Sequence, residues 1–241
     1  MIRCLSKASG MLALVLALAV TAASAQGPAV SPVGIAVAET YGLADWPRVA
    51  RLRFTFVIRD TQRHWDWDVA NDRVTLTAGD DEPITFTPYA PTTEAERRAD
   101  RRFINDTYWL LFPFQLVWSD PEITVEDDGV TLPLGGDAAT RKIVAAFPSE
   151  GGYTPGDTYE LFYAADEADP FVDQWRYTSA DGERSLATTW KDHVRLGPLA
   201  LPTRFRNDGG FDLRFTNLSA TLADGTTVAP EPVESISTDT P

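Results

Sequence analysis

Apolar and polar residues alternate with a period of two along much of this chain. Four apolar side chains occupy every second position of its clearest segment: Leu52, Phe54, Phe56 and Ile58. Thr55 lies between them and belongs to the polar side. Side chains of a β-strand point alternately to opposite faces of a sheet, so this pattern predicts a strand with one buried face.

The same alternation returns throughout the chain and predicts an antiparallel meander of about ten or eleven strands. Short turn signals such as Asn71-Asp72 and Asp181-Gly182 connect them. Because each strand has one apolar and one polar face, we expect a sheet that is covered on one side only. The alternating segments are 51–59, 65–69, 73–76, 84–87, 123–126, 130–134, 142–147, 158–163, 171–178, 186–190, 211–216 and 218–222.

Two segments predict short helices. Ser31-Pro32 has the residue types of a helix start and Gly42 those of a stop. Thr93 and Glu96 have the spacing of a capping box, which opens a charged helix through about Phe103. The expected fold is therefore mainly β: a curved antiparallel sheet that forms an incomplete barrel, with short helices against its concave side.

The N-terminal segment predicts an export signal. Arg3 and Lys7 form a basic start, residues 11–20 are apolar, and Ala23–Ala25 offers the small residues of a cleavage site before Gln26. A run of ten apolar residues is too short to cross a bilayer, which takes about 20. We therefore expect residues 1–25 to be removed, leaving a periplasmic or secreted protein with no stable membrane anchor.

Charge and cysteine content exclude several classes of protein. Loss of Arg3 and Lys7 changes the formal charge from −14 to −16, and a chain this acidic is unsuited to nucleic acid or to anionic lipid headgroups. The single cysteine, Cys4, lies inside the predicted signal. The mature protein is then without disulfides and without thiolate metal ligands. Short acidic runs such as Asp80–Glu82 are typical of solvated loops, and no metal site is predicted.

No motif identifies a reaction. The chain has no nucleophile elbow, no zinc-protease helix and no phosphate-binding glycine loop. Its two histidines, His64 and His193, have no carboxylate at a spacing typical of catalysis, and a surface or turn position is the simpler interpretation. Asp66 and Asp68 share one strand face, where acids usually confer solubility. We expect neither an enzyme nor a cofactor.

Aromatic residues are the remaining feature. Core packing explains any one of the tryptophans, but a single sheet with two short helices has a whole apolar face to cover. Either the sheet curls on itself and fills its interior, or it presents an aromatic cavity to a ligand. The sequence leaves both open. The tryptophans lie at Trp46, Trp65, Trp67, Trp109, Trp118, Trp175 and Trp190.

Two motifs resemble a known family. The segment from Tyr41 to Phe56 is similar to the start of exported proteins of the outer-membrane lipoprotein-sorting-like (LolA/LolB-like) family, and 105–114 is similar to the central motif of one poorly characterised branch. The resemblance implies one incomplete-barrel domain over 26–228. The remaining residues, 229–241, include three prolines and several acids without apolar periodicity, which predicts a disordered tail. It also implies an apolar small molecule or a lipid or lipoprotein acyl chain as the partner of a non-enzymatic binding protein.

The aromatic stripe then supplies the predicted ligand-binding residues, and we expect a monomer. One alternative is a Trp-rich carbohydrate-binding β-sandwich, and another is a secreted hydrolase that uses a carboxylate pair. An outer-membrane barrel is disfavoured by the charged helix and the polar C-terminal segment. The predicted ligand contacts are Phe54, Phe56, Trp65, Trp67, Phe86, Trp109, Phe112, Phe114, Trp175 and Trp190.

Overall fold

The structure is a computed structural model that describes residues 31–127, 129–136, 140–150, 154–164 and 171–233. The predicted export signal and the last residues of the predicted tail, 234–241, lie outside the described residues. The described chain contains the two helices that the sequence predicts, together with a third α-helix and a 3-10 helix that it does not predict. They are α1 (Pro32–Thr40), a 3-10 helix (Leu43–Arg48), α2 (Glu94–Leu110) and α3 (Phe112–Trp118).

Strands make up most of the remaining described chain. They are β1 (Val49–Ile58), β2 (Thr61–Asp68), β3 (Arg73–Thr77), β4 (Ile84–Phe86), β5 (Glu122–Glu126), β6 (Thr140–Ala146), β7 (Thr158–Ala164), β8 (Val172–Thr178), β9 (Ser185–Lys191), β10 (Val194–Leu196), β11 (Leu199–Leu201), β12 (Arg204–Arg206), β13 (Asp212–Leu222), β14 (Thr227–Val228) and β15 (Glu231–Pro232).

These strands form two antiparallel sheets. The larger has twelve strands in the order β4-β3-β2-β1-β13-β12-β9-β8-β7-β6-β5, with β14 beside β13. The smaller has the order β11-β10-β15. In the large sheet β4 and β5 are the two edges, so the sheet is not closed into a barrel. A second large sheet facing it is absent from the described chain, which rules out the β-sandwich alternative.

Helices α2 and α3 pack on the apolar face of the large sheet. Phe103 of α2 lies against Trp65 and Trp67 on β2, with ring centroids 5.3 and 5.1 Å apart. Phe112 of α3 lies 5.2 Å from Trp175 on β8, near the other end of the strand order. One pair of helices therefore touches both ends of the sheet, which curls around it. The predicted fold class is confirmed.

Helix α2 begins as predicted and ends later. The Thr93 hydroxyl accepts from the Glu96 N–H, and the Glu96 carboxylate accepts from the Thr93 N–H, both at 3.2 Å. The predicted end near Phe103 is wrong, because the helix continues to Leu110 and buries its apolar second half. Its last turn breaks at Leu111, whose φ of −120° and ψ of 23° are not helical.

Two predicted strand assignments are corrected. The segment 130–134 forms no strand, since the Leu134 N–H donates to the side chain of Gln174 at 3.0 Å instead of to a neighbouring strand. The segments 211–216 and 218–222 are one strand, β13, with a bulge at Asn217. Opposite β1, the register shifts there, and Asn217 takes a φ of 52°, which asparagine tolerates better than most residues.

The bulge also changes the exposure of the polar face. Alternation predicts an exposed Thr55, but Thr55 is buried. The Asn217 amide donates to its hydroxyl at 3.2 Å, and the exposed His64 places Nδ1 at 2.8 Å from the same oxygen.

Three further short strands, β10 to β12, have too few alternating residues for the sequence to predict them. β15, which pairs with β10, lies inside the segment for which the sequence predicts disorder.

Candidate ligand-binding clefts

Two clefts open on either side of Tyr108, near the end of α2. The first, which we call the seam cleft, has a volume of about 540 Å³ and lies between the two ends of the sheet. The second, the flank cleft, has about 510 Å³ and lies between α2 and strands β7 to β9. The main seam-cleft residues are Trp46, Trp67, Tyr89, Tyr108, Trp118 and Phe147. The main flank-cleft residues are Arg101, Tyr108, Trp109, Tyr159, Trp175 and Arg184.

Aromatic rings from three elements build one wall of the seam cleft. Trp118 of α3 packs on the buried ring of Phe114, which lies four residues earlier on the same helix face and 5.2 Å away. Trp46 of the 3-10 helix packs against Trp118 at 5.3 Å and against Trp67 of β2 at 5.3 Å. Trp118 remains 42% exposed. The wall therefore presents an aromatic surface to solvent.

Tyr89 stands at the mouth of the seam cleft with 55% of its surface exposed. Its φ of 63° is uncommon for a non-glycine residue. Its N–H donates to the Asp100 carboxylate on α2 at 2.9 Å. Burial raises the pKa of Asp100 above its ordinary value, and the hydrogen bond from Tyr89 opposes this rise. The loop that follows β4 is thus held against helix α2.

Helix α2 and strands β7 to β9 form the two sides of the flank cleft. Arg101, Asn105 and Tyr108 recur at helical spacing on α2 and line one side. The opposite side belongs to β7, β8 and β9. Trp109 and Trp175 meet between them, with ring centroids 4.7 Å apart. The cleft therefore has an aromatic floor with polar and charged groups around it.

Arginines dominate the charge of the flank cleft. Arg101 has Glu94 as its nearest acid, at 3.9 Å, and Glu94 is also bound by Arg97 at 2.9 Å. Arg184 makes no ion pair with any residue that the structure describes. The lining acid, Asp157, accepts a hydrogen bond from the Ala180 N–H at 3.1 Å. The seam cleft differs, because Glu150 is its only charged lining residue among those described.

The structure divides the ten predicted ligand contacts into two groups. Trp67 lines the seam cleft, and Trp109 and Trp175 line the flank cleft. The other seven are buried in the core between the helices and the sheet, where their rings pack on one another. A ligand-binding role for the set stays a prediction. The seven core residues are Phe54, Phe56, Trp65, Phe86, Phe112, Phe114 and Trp190.

Several cleft residues were missed by sequence reasoning. Tyr89 and Phe147 lie in or beside loops, and Arg101 and Arg184 have no local sequence signal that marks them as cleft residues. Tyr108 lies in the 105–114 motif described above, and Trp118 is one of the tryptophans considered for ligand binding. Their aromatic type was the available signal, but it does not reveal which aromatic side chains reach the surface.

The residues considered for catalysis are engaged elsewhere. Asp66 and Asp68 both accept hydrogen bonds from Arg51, at 2.8 and 2.6 Å, and neither lines the two clefts. His193 lies 3.3 Å from the Tyr41 hydroxyl, and burial lowers its pKa to about 4. Within the described ranges, no group of histidines, cysteines and acids is placed to hold a metal ion.

The described chain contains no helix that combines the length and apolar character needed to cross a bilayer.

Comparison with known proteins assigns no family. No protein-family model matches the chain, and no curated protein matches it at a significant level. Among solved structures, that of the LolA superfamily protein NE2245 from Nitrosomonas europaea is similar, with 10% sequence identity, a TM-score of 0.36, and coverage of 77% of this chain and 92% of that chain. A likeness at this level carries no functional argument. The resemblance to lipoprotein-sorting proteins stays a prediction, and the fold rests on the strand pairing described above.

Proposed function

We propose that this protein is a periplasmic, non-enzymatic binding protein that holds an acyl chain or a similar apolar ligand in the seam cleft. The observation that carries the proposal is the aromatic wall formed by Trp46, Trp67 and Trp118, which faces an open cleft of about 540 Å³. Sites for small molecules usually have volumes of about 300–1,000 Å³ and mostly apolar linings. The predicted export signal supports the periplasmic location.

Burial of apolar surface supplies the binding energy in this proposal. Each methylene that leaves water contributes about 0.8 kcal/mol. The rings of Trp118 and Tyr89 are exposed, so an alkyl chain bound between them also removes these rings from water. Several methylenes are needed to offset the entropy lost on association. An extended alkyl chain satisfies this requirement better than a compact polar molecule.

The ligand lies at the seam and not inside the sheet. The interior expected from the sequence is occupied by the protein's own rings, such as Phe112, which is fully buried and lies 4.6 Å from Tyr159. Close-packed interiors admit no guest without separation of the elements that enclose them. The seam cleft needs no such separation because it is already open.

A displacement titration tests the proposal. Delipidated protein is saturated with N-phenyl-1-naphthylamine, an uncharged apolar fluorophore, and dodecanol is added as competitor. We expect saturable fluorophore binding that dodecanol reverses. Trp118→Ala removes part of the cleft wall and should weaken binding about tenfold, since a large aromatic contact contributes over 1 kcal/mol.

The matched control is Ile35→Ala. Ile35 is a similarly exposed apolar residue, at 39%, but it lies on α1 outside both clefts. Its substitution should leave the affinity unchanged. Absence of saturable binding to folded wild-type protein would overturn the proposal, and so would equal losses in the Trp118 and Ile35 variants.

A further inference from the structure

We propose that the ligand is an amphiphile with an anionic headgroup, a carboxylate or a phosphate, which Arg101 and Arg184 bind in the flank cleft while its chain lies in the seam cleft. This inference deepens the proposed function and rests on it. It assigns a headgroup chemistry and a direction of binding to one ligand that occupies both clefts.

The two clefts adjoin each other at two shared residues. Tyr108 and Thr154 line both of them. On the seam side, the Tyr108 hydroxyl lies 3.5 Å from the Ser119 hydroxyl. On the flank side, its ring lies 6.4 Å from the ring of Tyr159. In this proposal the alkyl chain of the ligand crosses from one cleft to the other beside the Tyr108 ring.

Charge determines which end of the ligand occupies which cleft. The flank cleft has two arginines. The charge of Arg101 is only weakly compensated, because Glu94 is shared by Arg97, Arg98 and Arg101 at 2.9, 3.6 and 3.9 Å. Arg184 interacts electrostatically with Asp181 but forms no ion pair with a described acid. Carboxylate and phosphate oxygens accept hydrogen bonds from the guanidinium group in a matching geometry. The flank cleft thus favours the anionic end.

The seam cleft disfavours that end. Among its described lining residues the one charge is Glu150, and like charges repel. Asp157 in the flank cleft is the corresponding acid, but its carboxylate is turned toward the Ala180 N–H and the Tyr177 hydroxyl. The whole protein has a net charge of −14, so its long-range field repels an anion. Arg101 and Arg184 are therefore a local exception, and they attract an anionic headgroup only at close range.

Displacement by three competitors of one chain length tests the inference. Dodecanoate, dodecyl phosphate and dodecanol, each below its micelle concentration, compete with N-phenyl-1-naphthylamine at low ionic strength. We expect wild-type protein to bind at least one of the two anions about tenfold more tightly than dodecanol. A rise in salt from 0.05 to 0.5 M should reduce this preference, because exposed charges are screened.

Variants locate the headgroup site. The double variant Arg101→Gln/Arg184→Gln should lose the preference for the anion and keep its affinity for dodecanol. The control, Arg102→Gln, removes the same charge from the neighbouring residue of α2, which lies outside the lining. It should keep the preference, and circular dichroism confirms that each variant is folded.

The outcomes separate this inference from the proposed function. Tighter binding of dodecanoate alone identifies a carboxylate, and tighter binding of dodecyl phosphate alone identifies a phosphate. Equal affinity for the anions and dodecanol would overturn the inference while the proposed function stands. An unchanged preference in the double variant would do the same. If none of the three compounds displaces the fluorophore, both fail.

Discussion

Arg63 on strand β2 donates two hydrogen bonds to the carboxylate of Asp106 on helix α2, from Nε at 2.7 Å and from Nη2 at 2.6 Å. The Asp106 side chain is fully buried, and that of Arg63 is 14% exposed. The Trp65 indole donates to the same carboxylate at 2.8 Å. Burial raises the pKa of Asp106, and these donors oppose the rise. The pair fixes helix α2 across the sheet.

The first prediction concerns this ion pair. Asp106→Leu should lower the free energy of unfolding by about 3–5 kcal/mol, because it leaves the Arg63 guanidinium and the Trp65 N–H without their acceptor in a buried place. Urea denaturation monitored by tryptophan fluorescence measures the loss. The double variant Arg63→Met/Asp106→Leu should recover much of it, since no unpaired charge remains.

Glu94→Gln is the control for this prediction. Glu94 forms exposed ion pairs on the same helix, and such pairs contribute about 1 kcal/mol or less. If Asp106→Leu costs as little as Glu94→Gln, the buried pair does not position the helix.

A second prediction tests the packing of α2 on the sheet. Phe103 is fully buried and contacts the rings of Trp65, Trp67 and Phe86. Phe103→Ala should cost about 3–5 kcal/mol of unfolding free energy. Trp118→Ala removes a larger but exposed side chain and should cost much less. A reversal of this order in thermal or urea unfolding would contradict the observed packing.

A third prediction compares two glycines with similar backbone angles. Gly42 and Gly225 have φ values of 94° and 87°. A Cβ at Gly42 would lie 2.3 Å from the Pro198 carbonyl oxygen, whereas one at Gly225 would meet nothing within 4 Å. Gly225→Ala should cost about 1 kcal/mol for backbone strain alone. Gly42→Ala adds a main-chain clash and should cost at least twice as much, so equal melting temperatures would refute the close approach.

The fourth prediction is a pH dependence. The pKa of His193 is lowered to about 4, chiefly by burial and also by Lys191, while Asp173 and Asp192 oppose the shift. An unfolded histidine titrates near 6.5. Between these values the unfolded chain binds a proton that the folded chain does not, so the stability contributed by neutral His193 is present above about pH 6.5 and is lost as the pH falls towards 4.

His193→Gln removes this contribution. The stability of the wild type relative to the variant should fall by at most about 1.4 kcal/mol per pH unit between pH 6.5 and 4, and it should be constant at higher pH. Urea denaturation of both proteins at several pH values across this range measures the difference between their stabilities. Asp100 and Asp106 are present in both proteins, so their effects cancel in this difference. A difference that does not change with pH would contradict the burial of His193.

The fold could be predicted because its signals are local. The alternation around Phe54 and Phe56 identified β1, and the spacing of Thr93 and Glu96 identified the start of α2. Errors arose where distant groups decide the structure. Gln174, forty residues away, binds the backbone of Leu134, and the bulge at Asn217 appears only opposite β1.

The candidate site was less predictable than the fold. Sequence pattern separates apolar from polar faces, but it does not separate a ring in a closed core, such as Phe112, from one at a cleft, such as Trp118. Arg101 and Arg184 are far apart in sequence and line the same cleft only because the fold brings α2 and the start of β9 to its two sides. Neither residue has a local signal that differs from that of a solvated arginine.

The unpaired edges β4 and β5 concentrate the mechanical compliance of the fold. Elsewhere in the large sheet, widening the curl stretches main-chain hydrogen bonds between neighbouring strands. Along the line between these two edges, no such bonds join the described strands. Contacts with the helices hold the edges instead, such as the hydrogen bond from the Tyr89 N–H to Asp100 of α2. Widening of the curl along this line therefore breaks no strand pairing, whereas widening it anywhere else in the large sheet does.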